Sequence, residues 1–466
     1  MKEGERDRDD ENYLFLCHVT RAAMLLNLGR YGESKEIIEE SIRKFEALPH
    51  DELACGVLSA CYDTLAILSI VTCRTTGDMS SSIEYFRKGN YYHELCPGIE
   101  SDPMGMTYIG AYMNIIGNPP KLEEHEKFIE TISQCIPYTS ASACGSLLGI
   151  DSLCRAELAF FRGNLDMAEQ YARRGLIKTR ENRQYEAESK GLFYLLRIHL
   201  SRADLTALTE TQKQMEALLE KTEYINRYAL HDIMTGWYFA QTGETEKIAP
   251  WLRNDNGESD LNLMINSYET LVRAKILFAE KRYEETLKLL ETGKIRENLG
   301  SFHFGMLEIT ALEAAVLCRM GYKEKAITAL EKAYNTASPD YDMPFIELGQ
   351  DMRTLSGLAL NAAECTIPRV WLESIRDKSS AYGKKLTTVT GLYENSNRDD
   401  VIIFLNPHER AILQGISRGF TREEISKEFS LSINVVKKTI KLIYEKMGAL
   451  NRADAIRIAG KAGLLD

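Results

Sequence analysis

The sequence predicts an all-α protein: a superhelical array of about eight antiparallel helix pairs, followed by a small four-helix domain. Three observations carry that expectation. A short turn signature recurs roughly every forty residues, the apolar residues between turns keep helical spacing, and the last sixty-odd residues hold four closely spaced cap residues.

The turn reads GRYGES from Gly29, GDMSSS from Gly77, GNPPKL from Gly117 and GNLDMA from Gly163. It continues as ADLTAL from Ala203, GETEKI from Gly243, KRYEET from Lys281 and GYKEKA from Gly321. Each follows an apolar helical run, as in Ala22, Leu25 and Leu26, and precedes another, as in Ile37, Ile38, Ile42 and Phe45. Glycine there suits the left-handed residue that ends a helix. No β-alternating segment intervenes, so the helices stack in pairs, each covering its neighbour's apolar face.

The segment AYGKKLTTVTGLYENSNRDD, residues 381–400, is polar without helical periodicity and reads as a linker. The expected domains are therefore 1–380 for the array and 401–466 for the terminal unit.

In that unit Asn406, Thr421, Ser432 and Asn451 each precede a candidate helix, and Glu409, Glu424 and Asp454 stand three residues after three of them. Such side chains accept hydrogen bonds from the unpaired first-turn amides. Helices are expected near 407–418, 422–429, 433–447 and 452–462. On the third, Val436, Ile440, Ile443 and Met447 share one face, at about 100° per residue. Asn434, Lys437, Lys438 and Lys441 share the other. The apolar face needs a core, supplied by Ile412, Ile416, Ile425 and Phe429. The basic face is not explained by stability, because close lysines repel one another. A short helix, a three-residue gap and a capped basic helix form a helix-turn-helix, which sets its second helix in the DNA major groove.

Regional charge agrees. The whole chain carries formal net charge −11, with 57 Lys/Arg and 68 Asp/Glu. Residues 401–466 hold 11 basic and 7 acidic residues, or +4, which leaves −15 for the first 400. The two parts face different partners.

The repeat pattern resembles tetratricopeptide repeats, approached by LLNLGRYGES, FFRGNLDMA and LCRMGYKEKA, at a length nearer 40 than 34. The terminal unit resembles the LuxR/GerE DNA-binding domains through LNPHERAIL, GFTREEIS and SINVVKKTIKLIYEKMG, then NRADAIRIA and GLL. By that resemblance Lys437, Lys438 and Lys441 hold base-reading positions. Asn434, Val435 and the caps Ser432 and Thr421 complete the candidate DNA contacts. The fourth helix is the implied dimer seam, with Arg452, Ile456, Ala459 and Ala462 as candidates. Three positions depart from the family pattern: Val435 replaces threonine, Thr439 replaces histidine, and His408 replaces arginine. Array and terminal domain together resemble the C-terminal half of MalT-like regulators, whose NTPase module precedes the repeats. The implied function is transcription regulation, with an effector or protein partner on the array and DNA on the terminal domain. The alternative is an interaction scaffold with a degenerate helix-turn-helix.

Catalytic motifs are missing from the sequence. There is no G-x-x-x-x-G-K-[ST], no H-E-x-x-H and no G-x-S-x-G, so no cofactor, metal or enzymatic activity is expected. EEHE, Glu123 to Glu126, reads as a solvated helix start. The ten cysteines include no C-x-x-C pair and sit in apolar stretches, as buried reduced thiols would in a cytoplasmic protein. The apolar run from Leu53 to Cys73 is long enough to span a membrane, but Asp63 at its middle favours burial between neighbouring helices.

Overall fold

The computed structural model describes residues 21, 22, 24, 25, 30–76, 79–96, 124–142, 147–224, 226–253, 263–291, 303–337, 340–390, 405, 407–429, 431–447, 449, 452–461, 464 and 465. Among them there are helices and turns and no strand.

The chain begins with α1 (Tyr31–Glu46), α2 (Glu52–Thr76), α3 (Ser81–Leu95) and α4 (His125–Ser142). Two regular pairs follow: α5 (Ile150–Phe161) with α6 (Leu165–Glu181), and α7 (Tyr185–Arg202) with α8 (Leu205–Ala217). Next come α9 (Arg227–Thr242), the one-turn α10 (Pro250–Arg253), α11 (Leu263–Ala279), α12 (Tyr283–Glu291), α13 (His303–Arg319) and α14 (Lys323–Ala337). The array closes with α15 (Met343–Ile346), α16 (Gln350–Leu360) and α17 (Arg369–Val389). Helices α18 (Pro407–Ser417), α19 (Arg422–Glu428), α20 (Ile433–Met447) and α21 (Arg452–Lys461) end the chain. Two compact units divide within α13: Met1–Ile309 with Thr336–Glu347, and Thr310–Asn335 with Leu348–Asp466.

The forty-residue beat is a repeated backbone geometry. Gly163, Ala203, Gly243, Lys281 and Gly321 all take positive φ, between 59° and 82°. Each donates its N–H to the carbonyl three residues back, and the following residue donates to the carbonyl five residues before it. At Gly163 the bonds are 2.8 Å to Phe160 and, from Asn164, 2.9 Å to Ala159. At Lys281 they are 3.0 Å to Phe278 and, from Arg282, 2.9 Å to Leu277. This paired bonding satisfies the last carbonyls of a helix while reversing the chain. Lys281 and Ala203 adopt it without being glycine, so the geometry repeats more faithfully than the residue. Gly29, Gly77 and Gly117 lie outside the described residues.

Three expectations need correction. After Gly243 no full helix follows, only a 3-10 turn at Thr245–Lys247 and α10. Pro250 supplies no backbone N–H, and its ring clashes with a preceding helical turn. The expected linker is partly helix, because α17 runs on to Val389. Its buried stripe is Leu372, Ile375, Ser379 and Tyr382, and the mostly polar run GKKLTT after Tyr382 hid its last turns. The helix start expected at EEHE is there, since α4 opens at His125, but it is not solvated throughout: His125 is buried, with Nδ1 3.2 Å from the Tyr341 hydroxyl oxygen, and Glu123 lies outside the described residues.

Among the described residues one helix, α2, is long and apolar enough to cross a membrane. It packs between α1 and α3, with Cys55, Leu58, Cys61 and Ala66 fully buried and Asp63 nearly so. The thiols of Cys55, Cys61, Cys135, Cys154 and Cys318 are buried and in no disulfide. Burial pushes that of Cys61 up to about 12.

The first unit has charges in its interior. Arg197 of α7 is wholly buried, with Nη2 2.8 Å from Glu308 Oε1 of α13 and Nε 3.1 Å from Glu347 Oε1. Its guanidinium lies 4.6 Å from the Phe160 ring centre and 4.8 Å from that of Trp237. The same interior holds Lys190, Glu157, Lys275 and Tyr268, all buried. Tyr194 donates its hydroxyl proton to Glu157. Burial lowers Lys190 to about 7, against the opposing pull of Glu157 and Glu186.

Candidate nucleic-acid interface

The four terminal helices fall within a residue of their expected bounds. Helix α18 buries Ile412, Leu413 and Ile416 and ends at Gly419, φ +95°, where the bonding pattern of the array turns recurs. Gly419 N–H donates to Ile416 at 3.2 Å and Phe420 N–H to Gly415 at 3.0 Å. Thr421 then opens α19 with a complete capping box. Its hydroxyl accepts from the Glu424 amide at 3.2 Å, and its own amide donates to Glu424 Oε2 at 2.7 Å. That amide, with the hydroxyl, holds the Glu424 carboxyl below its usual range. The caps expected at Asn406 and Asn451 lie outside the described residues.

The turn from α19 to α20 is tied at both ends. Ser426 donates its hydroxyl to the Leu431 carbonyl at 2.5 Å, and the Leu431 amide returns to Ser426 at 3.0 Å. Ser432 caps α20, accepting from the Val435 amide at 3.3 Å. The Ser426 hydroxyl thus fixes the turn, which sequence spacing did not reveal.

Helix α20 is oriented by what it buries and what it grips. Val436, Ile440, Ile443 and Met447 enter a core with Ile412, Leu413, Ile416, Ile425, Ala455 and Ala459. Near its end Lys446 Nζ lies 2.6 Å from both carboxylate oxygens of Glu409, whose side chain is 3% exposed. Burying that carboxylate is tolerable because the ammonium pairs it in two-pronged fashion. Arg452 Nη2 donates to the Ile416 carbonyl at 2.8 Å, closing the end of α18 against α21.

The opposite face is open. Asn434, Val435, Lys437, Lys438, Lys441 and Leu442 are exposed. Lys437 and Lys438 form no ion pair with any other described residue. Ammonium groups held this way, on a rod fixed by a core, suit phosphates or the guanine O6/N7 edge. Thr421 and Ser432 are exposed as well, but both hydroxyls already serve caps. The dimer-seam expectation is reduced. Ala459 is fully buried in the domain's own core and presents nothing outward. Arg452 is engaged by Ile416, Ile456 is half-buried, and Ala462 lies outside the described residues.

A family model for the MalT-like TPR region matches residues 114–358, more than half of the sequence. The chain belongs to the MalT-like TPR family. A second model, of bacterial regulatory proteins of the luxR family, matches residues 404–459, which takes in α18, α19, α20 and most of α21. Among curated proteins, the HTH-type transcriptional regulator MalT of Serratia proteamaculans (strain 568) is 24% identical over 323 residues. That of Cronobacter sakazakii (strain ATCC BAA-894) is 25% identical over 327 residues. Each alignment covers 66% of this chain and 35% of the relative, so the chain spans about a third of the length of these curated relatives. The MalT-like match starts ahead of α4 and ends in α16, leaving α1, α2, α3 and α17 outside it.

Proposed function

We propose that the chain is a DNA-binding transcriptional regulator acting in the cytoplasm. In this reading residues 401–466 read duplex DNA through α20, and the MalT-like array binds an effector or protein partner. One observation carries it: on α20 a core-facing stripe fixes the helix while Asn434, Lys437, Lys438 and Lys441 stand exposed on the other side. The Glu409–Lys446 pair and the tied turn at Ser426 hold that face at a set angle. Ordering cost on binding then falls on side chains alone, because the backbone is already placed.

The long-range part is electrostatic. A terminal segment at +4 attracts phosphate, while the first 400 residues at −15 repel it, so binding concentrates on one face. A single module makes few base contacts, and pairing of two copies over a two-fold site multiplies them. The half-buried Ile456 of α21 is the remaining candidate for that pairing. Effector binding to the array then changes how often two terminal domains are presented together. Selection of bound duplexes from a random pool by the intact chain tests the whole reading. A palindromic sequence should emerge. An unenriched pool would leave the interaction-scaffold alternative in its place.

A further inference from the structure

Beside the lysines, α20 exposes an apolar strip. Val435 and Leu442 are each 43% exposed, as much surface as many polar residues show. They are seven residues apart, so at about 100° per residue they lie on nearly the same line along the helix. Lys438 borders that line on one side. The Glu409-bound Lys446 borders it on the other. Ile433, 40% exposed, lies on the far edge and is not part of the strip. Two branched side chains kept in water next to a cationic face cost solvation, and neither serves the core grouped around Val436 and Ile440.

The partner is set by the neighbouring charge. A surface bounded by exposed lysines faces an anionic polymer, and the major groove of DNA offers one apolar group, the thymine C5-methyl. Two helical turns span about 10.5 Å at ~1.5 Å per residue, close to about three base-pair steps of ~3.4 Å. Resting on the regulator reading above, we infer that Val435 and Leu442 read thymine methyls about three steps apart in each half-site. The lysines read or grip what lies beside them. Val435 and Leu442 are thereby specificity-determining residues.

Deoxyuridine in place of thymine removes the methyl and leaves the pairing edges intact, so it isolates this contact. The intact chain is titrated with its selected duplex and with duplexes carrying deoxyuridine at one thymine at a time. In each half-site two positions about three steps apart should each lose affinity by about fourfold, the worth of one buried methyl-sized group. Val435→Ala should erase the loss at one position and Leu442→Ala at the other. Both variants should keep the salt dependence of the parent, because no phosphate contact is touched. Binding with steep salt dependence but indifference to deoxyuridine everywhere would overturn the inference and leave the regulator reading standing. A selected site without thymine, or losses that neither variant erases, would overturn it equally. Failure to bind any duplex would instead remove the reading on which it rests.

Discussion

Arg197 and Lys437 are both cations on helices, and the chain uses them in opposite ways. Arg197 is sealed inside the first unit with Glu308 and Glu347 as partners 111 and 150 residues away in sequence. Lys437 stands on a surface and pairs with no other described residue. A buried charge has to be answered by the chain itself, so its partners can be named from the structure. An exposed charge is solvated and needs no partner within the chain. The comparison teaches that the array's interior charges are answered within the fold, while Lys437 and Lys438 of α20 pair with no other described residue.

The sharpest break between the two regions is in stability. Arg197→Met leaves two buried carboxylates facing each other and should cost about 3–5 kcal/mol in chemical denaturation. Replacing Arg197, Glu308 and Glu347 together with apolar residues of similar volume should recover most of it. Substituting Lys437, Lys438 and Lys441 by alanine should leave the denaturation midpoint unmoved. There the loss appears in DNA affinity, about 1–3 kcal/mol for each side chain that reads a base.

Lys190 adds a pH dependence confined to the array. Its folded pKa of about 7 lies below the ordinary 10.5, mainly through burial. Between those values the unfolded chain holds more protons, so stability should rise with pH, by up to about 1.4 kcal/mol per unit. Below about pH 7 both states are protonated and the slope vanishes. Above about pH 9 the buried thiols reverse it, because unfolded cysteines ionise first. Lys190→Met should flatten the rise between pH 7 and 9 when stability is measured across that range, and an unchanged rise would assign it to another group. The smallest effect concerns Lys281, at φ 61°. Lys281→Gly removes the left-handed penalty and should raise the unfolding free energy by about 1 kcal/mol, net of glycine's greater unfolded entropy.

The terminal domain was the more legible half. Thr421 with Glu424 and Ser432 before Ile433 mark helix starts by local chemistry, and local chemistry is what a sequence displays. The wheel of α20 likewise separates Val436 and Ile440 from Lys437 and Lys441 without any neighbour being known. It does not say that Lys446 grips Glu409, or that Leu442 stays outside, since both depend on where α18 lies. The family resemblance at Ala459 suggested a seam, whereas packing places that residue in the core. In the array the turn rhythm was visible, because five turns share one geometry. Arg197 was not, since in FYLLRIHLSR an arginine looks like a solvent-facing residue and its partners are far along the chain. The continuation of α17 was hidden for another reason: after Tyr382 the run GKKLTT offers one apolar residue, so the helix goes on with almost no stripe to show it.

The account turns on whether the exposed cations of α20 meet phosphate and base edges. Affinity of the intact chain for its selected duplex, measured against salt concentration, tests that directly. The logarithm of the binding constant should fall linearly with the logarithm of salt, by about 0.9 for each phosphate engaged, and the slope should shrink in the Lys437/Lys438/Lys441 alanine variant. A variant that binds as tightly as the parent, with the same slope, would contradict it.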